Sequence, residues 1–276
     1  MTEQPEGDER MFAAKRMICG VGVAALTASL AGCVPPPPRP ATTTRNAIPV
    51  SSVFQDKESY LAQHFTLTYL PKSVQDTVEQ AGIAPVGFDR LHMTTQVTVQ
   101  NTTTGAPTTF IASLLYENAG NGLVREISTL QRNGFDTSTL FVLSYRGLYS
   151  LRSQTFQSTA TAWPPLLETK QITHYDTDFT TDHISYIYRG GLGGRPQMTS
   201  PMQVSCTAGK HYSASVLHAN IGGNVREFNC QMQNSNGVLT STTTYAYFEK
   251  YGLAIPISSK TPTNELSTTI QEFRAE

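Results

Sequence analysis

MQVSCTAGKHYSASVLHANIGGNVREFNCQMQNSNGVLTSTTTYAYFE occupies residues 202–249. Runs at 202–206, 212–218, 225–233 and 239–249 are divided by Gly209-Lys210, Gly222-Gly223 and Asn236-Gly237. β-Branched and aromatic residues inside the runs, with turn formers between them, spell an antiparallel meander. In a flat meander the first and third strands lie about 9.6 Å apart, whereas a disulfide wants Cα atoms within about 7 Å. A bond between Cys206 and Cys230 therefore requires one of two departures. Either the Cys206 segment pairs directly with the strand at 225–233, the preferred form, or it crosses the sheet end in a loop.

Working outward, further strands are expected at 65–69, 93–100, 108–116, 123–129, 140–150, 166–174 and 183–188. Alternating apolar and polar residues, bounded by Gly, Pro, Asn or Asp, mark each of them. A helix is expected over 74–80, with Ser73 as cap, Asp76 at the third position, and Val74 and Val78 on one face. Residues 264–273 fit a strand or a helix, and Thr268, Thr269 and Ile270 favour strand. The body, residues 53–276, is thus expected to be one mainly β, antiparallel domain with one or two short helices. A strongly curved sheet and a two-sheet sandwich both satisfy the pattern.

The amino-terminal residues carry different information. Lys15 and Arg16 precede an apolar run of roughly 14 residues, short of the about 20 needed to span a bilayer as a helix. The run ends in Leu30-Ala31-Gly32-Cys33. Basic pair, apolar run and small residues before a cysteine, in that order, resemble the signal peptide and lipobox of bacterial lipoproteins. The resemblance implies cleavage after residue 32 and acylation of Cys33. It covers only the leader and implies nothing about the fold behind it. Glu3, Glu6, Asp8 and Glu9 depart from the usual positive start, so Met1, Met11 and Met17 stand as alternative starts. Several acyl chains on one residue hold a protein to a membrane, where a single chain attaches reversibly. Val34 in place of aspartate implies, for a Gram-negative host, sorting to the outer membrane. Pro35 to Pro38 and Pro40 lead a Pro/Thr-rich tether over 33–52, extended at about 3 Å per residue.

Cleavage removes Arg10, Lys15 and Arg16 and the four acidic residues from totals of 20 basic and 21 acidic, which leaves a neutral mature chain. No basic surplus is available for phosphate backbones, so nucleic-acid binding is disfavoured. Export also fixes the thiol chemistry. Cys19 leaves with the leader and Cys33 carries lipid, so Cys206 and Cys230 remain in an oxidising compartment and are expected to pair. Closing a loop of about 25 residues stabilises a fold by roughly 3 kcal/mol.

His174, Asp176, Asp178, Asp182 and His183 form the densest group of metal-ligand types, and on a strand 174, 176 and 178 share a face. No EF-hand glycine, H-E-x-x-H or Cys-rich spacing supports them, so a solvated polar turn is the competing reading. Residues 188–196, Tyr-Arg-Gly-Gly-Leu-Gly-Gly-Arg-Pro, suggest an anion cradle or, more simply, a loop between strands. Tyr145, Tyr149, Trp163, Tyr186 and Tyr188 suit either a core or a groove for sugar or lipid. His64, His92, His211 and His218 are scattered, and no G-x-S-x-G elbow is present. No enzyme and no cofactor is implied. The expected role is a membrane-anchored envelope component of structural or interaction type, with an envelope protein as partner. The alternatives are a carrier or sensor of an apolar ligand inside a curved sheet and a metal-dependent envelope enzyme. A lined cavity is the feature that separates the first two.

Overall fold

The computed structural model describes residues 50–81 and 85–276. The signal peptide, Cys19, Cys33 and the tether up to residue 49 lie outside the described residues. Three helices come first, α1 (Val50–Gln55), α2 (Lys57–His64) and α3 (Lys72–Gln80). Twelve strands follow: β1 (Arg90–Asn101), β2 (Pro107–Asn118), β3 (Leu123–Arg132), β4 (Phe135–Tyr145), β5 (Tyr149–Gln157), β6 (Leu166–Tyr175), β7 (His183–Leu192), β8 (Met202–Ser213), β9 (Asn224–Asn234), β10 (Leu239–Phe248), β11 (Leu253–Lys260) and β12 (Asn264–Ala275). Each strand pairs antiparallel with its sequence neighbours, and β1 pairs with β12 to close a barrel. Closure removes the free edges that an open curved sheet or a sandwich would leave. Among the described residues no helix is long and apolar enough to cross a membrane.

Local chemistry explains where strands stop. Asn133-Gly134 and Arg146-Gly147 both hold positive φ, 54° and 80°, then 50° and 74°, the twist that a two-residue hairpin needs. The second turn cuts the run expected as one strand at 140–150 into the end of β4 and the start of β5. Arginine is an unusual residue for this conformation, and buried contacts hold it there. Its Nη1 donates to the Tyr247 hydroxyl at 3.1 Å and to the Gly252 carbonyl at 3.2 Å, and its guanidinium lies over the rings of Tyr145 and Phe179.

The expected turn at Gly209-Lys210 is instead a register shift between Ala208 and His211 within β8, and the chain after Ser213 forms a short 3-10 turn, Ala214–Val216. Two expected strands thereby become one, and β8 lies directly beside β9. Cys206 stands opposite Cys230, with Cα atoms 3.9 Å apart and the sulfurs bonded. Direct pairing resolves the distance conflict set by a flat meander.

The strand expected at 65–69 is the end of α2 followed by a 3-10 turn, Leu67–Tyr69. Phe65 is fully buried against Phe141 and Tyr60, so its apolar character serves helix packing and not a sheet face. Helix α3 begins at Lys72, two residues before the expected start. Pro71, not Ser73, holds the cap position, and its carbonyl accepts from the Val74 and Gln75 amides. Val74 and Val78 are both buried, on one face of the helix. Helix α1 takes in residues 50–52, which the sequence had assigned to the tether, because Val50 and Val53 bury into the same core. That core continues through Leu61, Phe65, Phe141 and Phe156 to an aromatic cluster of Tyr145, Tyr149, Tyr186, Phe228 and Tyr247.

Candidate functional site

The strands β5 and β6 pair only at Arg152↔Glu168, Ser153↔Leu167 and Gln154↔Leu166. Buried charges hold this narrow seam. Glu168 accepts from Arg152 at 2.5 Å and from Lys170 at 2.5 Å, and the Arg152 guanidinium lies over Phe65 and Tyr69. Breaking such a buried network by removing one partner is costly, because it strands the remaining charge.

Beside the seam a cleft of about 460 Å³ opens between β5, β6, β7 and the start of β8, lined by Leu151, Leu167, Tyr188, Leu192, Met198 and Met202 among others. Its volume falls in the range of small-molecule sites, about 300–1,000 Å³. Three of its apolar side chains stand in solvent: Leu167 is 53 % exposed, Met198 52 % and Leu192 37 %. Glycine shapes the floor. A Cβ on Gly191 would sit 2.4 Å from the Gln197 carbonyl oxygen, so only glycine lets the chain after β7 fold back this closely. Thr199 fixes that return, accepting from the Gly190 amide at 3.1 Å and donating its own amide to the Gly190 carbonyl at 2.7 Å. The glycine-rich run is thus partly strand and partly cleft wall.

A second space of about 110 Å³ shares Ser150 and Tyr188 with the cleft and is further lined by Val204, Met232, Thr243 and Tyr245. Glu126 on β3 stands opposite Tyr116 and Val142 in register. Its charge acts on both Tyr116 and Tyr245, although β3 and β10 are five steps apart around the barrel. Burial pushes its pKa up to about 7, although part of its surface remains accessible. Burial also raises the Tyr116 phenol, and it takes Tyr245 up to about 12, so both stay neutral around Glu126.

The residues singled out as metal ligands are largely dispersed. His174 Nε2 meets Asp176 at 3.0 Å, but Asp176 also accepts from the Ser185 amide and hydroxyl, Asp178 caps Thr180, and Asp182 pairs with Arg226. Phe179 explains the splay. It is buried against Tyr247, Phe228 and Tyr145, which anchors the loop and leaves its carboxylates to local partners. Among the described residues no group of three or more His, Cys, Asp or Glu is placed to hold a metal. Of the five aromatic residues noted in the sequence, Tyr145, Tyr149 and Tyr186 are core, Trp163 is 42 % exposed, and Tyr188 lines both spaces. Sequence reading passed over Glu126, which looks like any acidic residue on a strand. The signal available was its place between Val124 and Ser128 on a face otherwise shared with Tyr116.

No protein-family model and no curated protein matches this sequence. Solved structures with a similar course of the chain include a β-barrel-like protein of a domain of unknown function from Brucella abortus, at 7 % identity and TM-score 0.42, covering 69 % of this chain and 99 % of that one. An outer membrane lipoprotein-sorting protein domain from Vibrio parahaemolyticus gives 6 % and 0.39, covering 76 % and 92 %. A LolA superfamily protein from Nitrosomonas europaea gives 9 % and 0.34, covering 73 % and 93 %. Likeness at this level carries no ligand or activity across to this chain.

Proposed function

We propose that the protein is an exported, lipid-anchored carrier or sensor that takes the hydrocarbon chain of a small amphiphile into the cleft between β5 and β8. The observation that supports this most is a 460 Å³ apolar cleft whose rim leaves Leu167, Leu192 and Met198 in water. A purely structural or interaction role, the first expectation from sequence, does not require a cleft of this volume. Burying apolar surface contributes about 25 cal/mol per Å², so a chain that covers these side chains is drawn in by the hydrophobic effect alone.

Displacement of the fluorescent dye Nile red by decanol tests the reading. The wild-type protein is expected to bind the dye and release it to decanol, and Leu167→Glu, a change at a half-exposed position, is expected to weaken binding at least about tenfold, or about 1.4 kcal/mol, with an unchanged melting temperature. Absence of dye binding, or equal binding by the variant, overturns it.

Anchor and compartment form part of the same proposal and rest on the leader sequence. Acylated Cys33 would hold the body to the outer membrane, facing the periplasm or the cell surface, with the proline-rich tether setting the distance. Mass spectrometry of detergent-extracted protein is expected to show Cys33 as the acylated first residue. An unmodified Cys33 with the leader attached contradicts the anchor.

A further inference from the structure

The strands are joined in sequence order and pair antiparallel, so their connections alternate between the two ends of the barrel. The six that follow β1, β3, β5, β7, β9 and β11 share one end: residues 102–106, 133–134, 158–165, 193–201, 235–238 and 261–263. They contain no Asp or Glu, and Arg195 is their one charged residue. Acidic residues within three positions of them, Asp136, Glu168 and Glu265, are all paired with lysine or arginine. The connections at the opposite end carry Arg146, Lys250 and four carboxylates, Asp176, Asp178, Asp182 and Glu249. Exposed apolar side chains follow the same division. Of the ten large hydrophobic residues exposed among the described residues, seven lie in or within two positions of the six connections. Phe135, which is 76 % exposed, stands there with Trp163, Val238, Leu239 and the three exposed side chains of the cleft rim. Apolar residues scattered over a surface need no explanation, whereas an arc gathered at one end does. Trp163 packs on Phe156 and Tyr60, at 5.5 and 5.9 Å, and leaves the rest of its ring in solvent, the placement that suits indole to a membrane–water interface. The described chain also begins here. Phe54 of α1 packs at 6.1 Å on Phe156, one residue from the end of β5, and Lys57 pairs with Asp136 beside the 133–134 turn.

We propose that this end of the barrel docks on the surface of a phospholipid bilayer, with Phe135, Trp163, Val238 and Leu239 seated at the level of the headgroups. Connections free of carboxylates meet no repulsion from anionic lipid, and Arg195 is available to a phosphate. The opposite end, with its carboxylates, faces water. The surface goes beyond the carrier reading: docking in this pose sets the cleft rim beside the lipid, yet it requires neither a ligand in the cleft nor acylation of Cys33.

Trp163 is the only tryptophan in the chain, so the intrinsic fluorescence of the full-length protein reads this rim directly. With vesicles of phosphatidylethanolamine and phosphatidylglycerol its emission is expected to shift to shorter wavelength, and lipid brominated on its acyl chains is expected to quench it. Phe135→Glu combined with Val238→Glu is expected to remove both the shift and the quenching, with an unchanged melting temperature. Neither residue lines the cleft, so that loss reports docking and not filling of the cleft. Emission that stays unshifted and unquenched overturns the inference, whether the protein remains free or sediments with the vesicles through its amino-terminal residues alone. Quenching that survives in the double variant overturns it equally. A protein that docks but takes up no decanol loses the carrier reading and keeps this surface.

Discussion

Glu126 sets a stability signature that does not depend on any ligand. Its folded-state pKa, about 7, lies above the ordinary glutamate value of 4.5. The protonated form is therefore favoured by folding, and the folded state carries no penalty below about pH 4.5. As pH rises from there through about 7, the unfolded chain ionises first and the native protein loses stability. At about 1.4 kcal/mol per pKa unit the loss is on the order of 3 kcal/mol. Urea unfolding of the wild-type protein at pH 5 and pH 8 is expected to show this fall, and Glu126→Gln is expected to lack it. Equal pH dependence in the two proteins contradicts the buried position of the carboxyl. A second residue-scale prediction concerns Gly147, which combines φ of +74° with a close approach in which a Cβ would meet the Ala254 carbonyl oxygen at 2.3 Å. Gly147→Ala is expected to cost more than about 1 kcal/mol, read as a lowered melting temperature, and a variant as stable as the wild type would show that the turn has another conformation. Neither residue announced itself in the sequence. Glycine after arginine is a weak turn signal, because the contacts that hold Arg146 at positive φ come from Tyr247 and Gly252, about a hundred residues away.

At the scale of elements, strands with clean alternation were legible, and β1, β2, β3, β6 and β9 lie where the pattern placed them. Errors arose where a local signal has two physical meanings. Gly209-Lys210 reads as a turn, yet glycine also permits a bulge, and here it lets β8 continue to Ser213. The Gly190-Gly191 pair reads as a loop, yet it ends a strand so that the next segment can pack onto it. Strand β11 went unread because Pro256 interrupts it, and proline is accommodated there beside the register shift between Thr244 and Tyr245. The disulfide links β8 to β9 at directly opposed register positions. Reduction under native conditions is expected to lower the unfolding free energy by about 3 kcal/mol. A transition in urea that does not move on reduction would show that the bond constrains little in the unfolded chain.

For the whole molecule, the antiparallel β class was legible, whereas the choice between a curved sheet and a sandwich was not, and neither was closure. Twelve strands joined in sequence order look the same in a list of runs whether the sheet stays open or returns on itself. The decision lies in the pairing of β1 with β12, which meets over almost their full lengths from Leu91↔Ala275 to Asn101↔Asn264. The candidate site was still less legible, since its walls come from four strands and a return loop whose apolar residues are spread over 151–202. No motif marks a cavity of that kind, and only the folded barrel brings Leu167, Leu192, Met198 and Met202 to one mouth. The account stands on that mouth admitting a hydrocarbon chain. Methyl-detected NMR of the protein with decanol measures this directly, through intermolecular contacts from the alkyl chain. The account predicts contacts to the methyl groups of Leu167, Leu192, Met198 and Met202, and contacts confined to other methyl groups, or none at millimolar ligand, would contradict it.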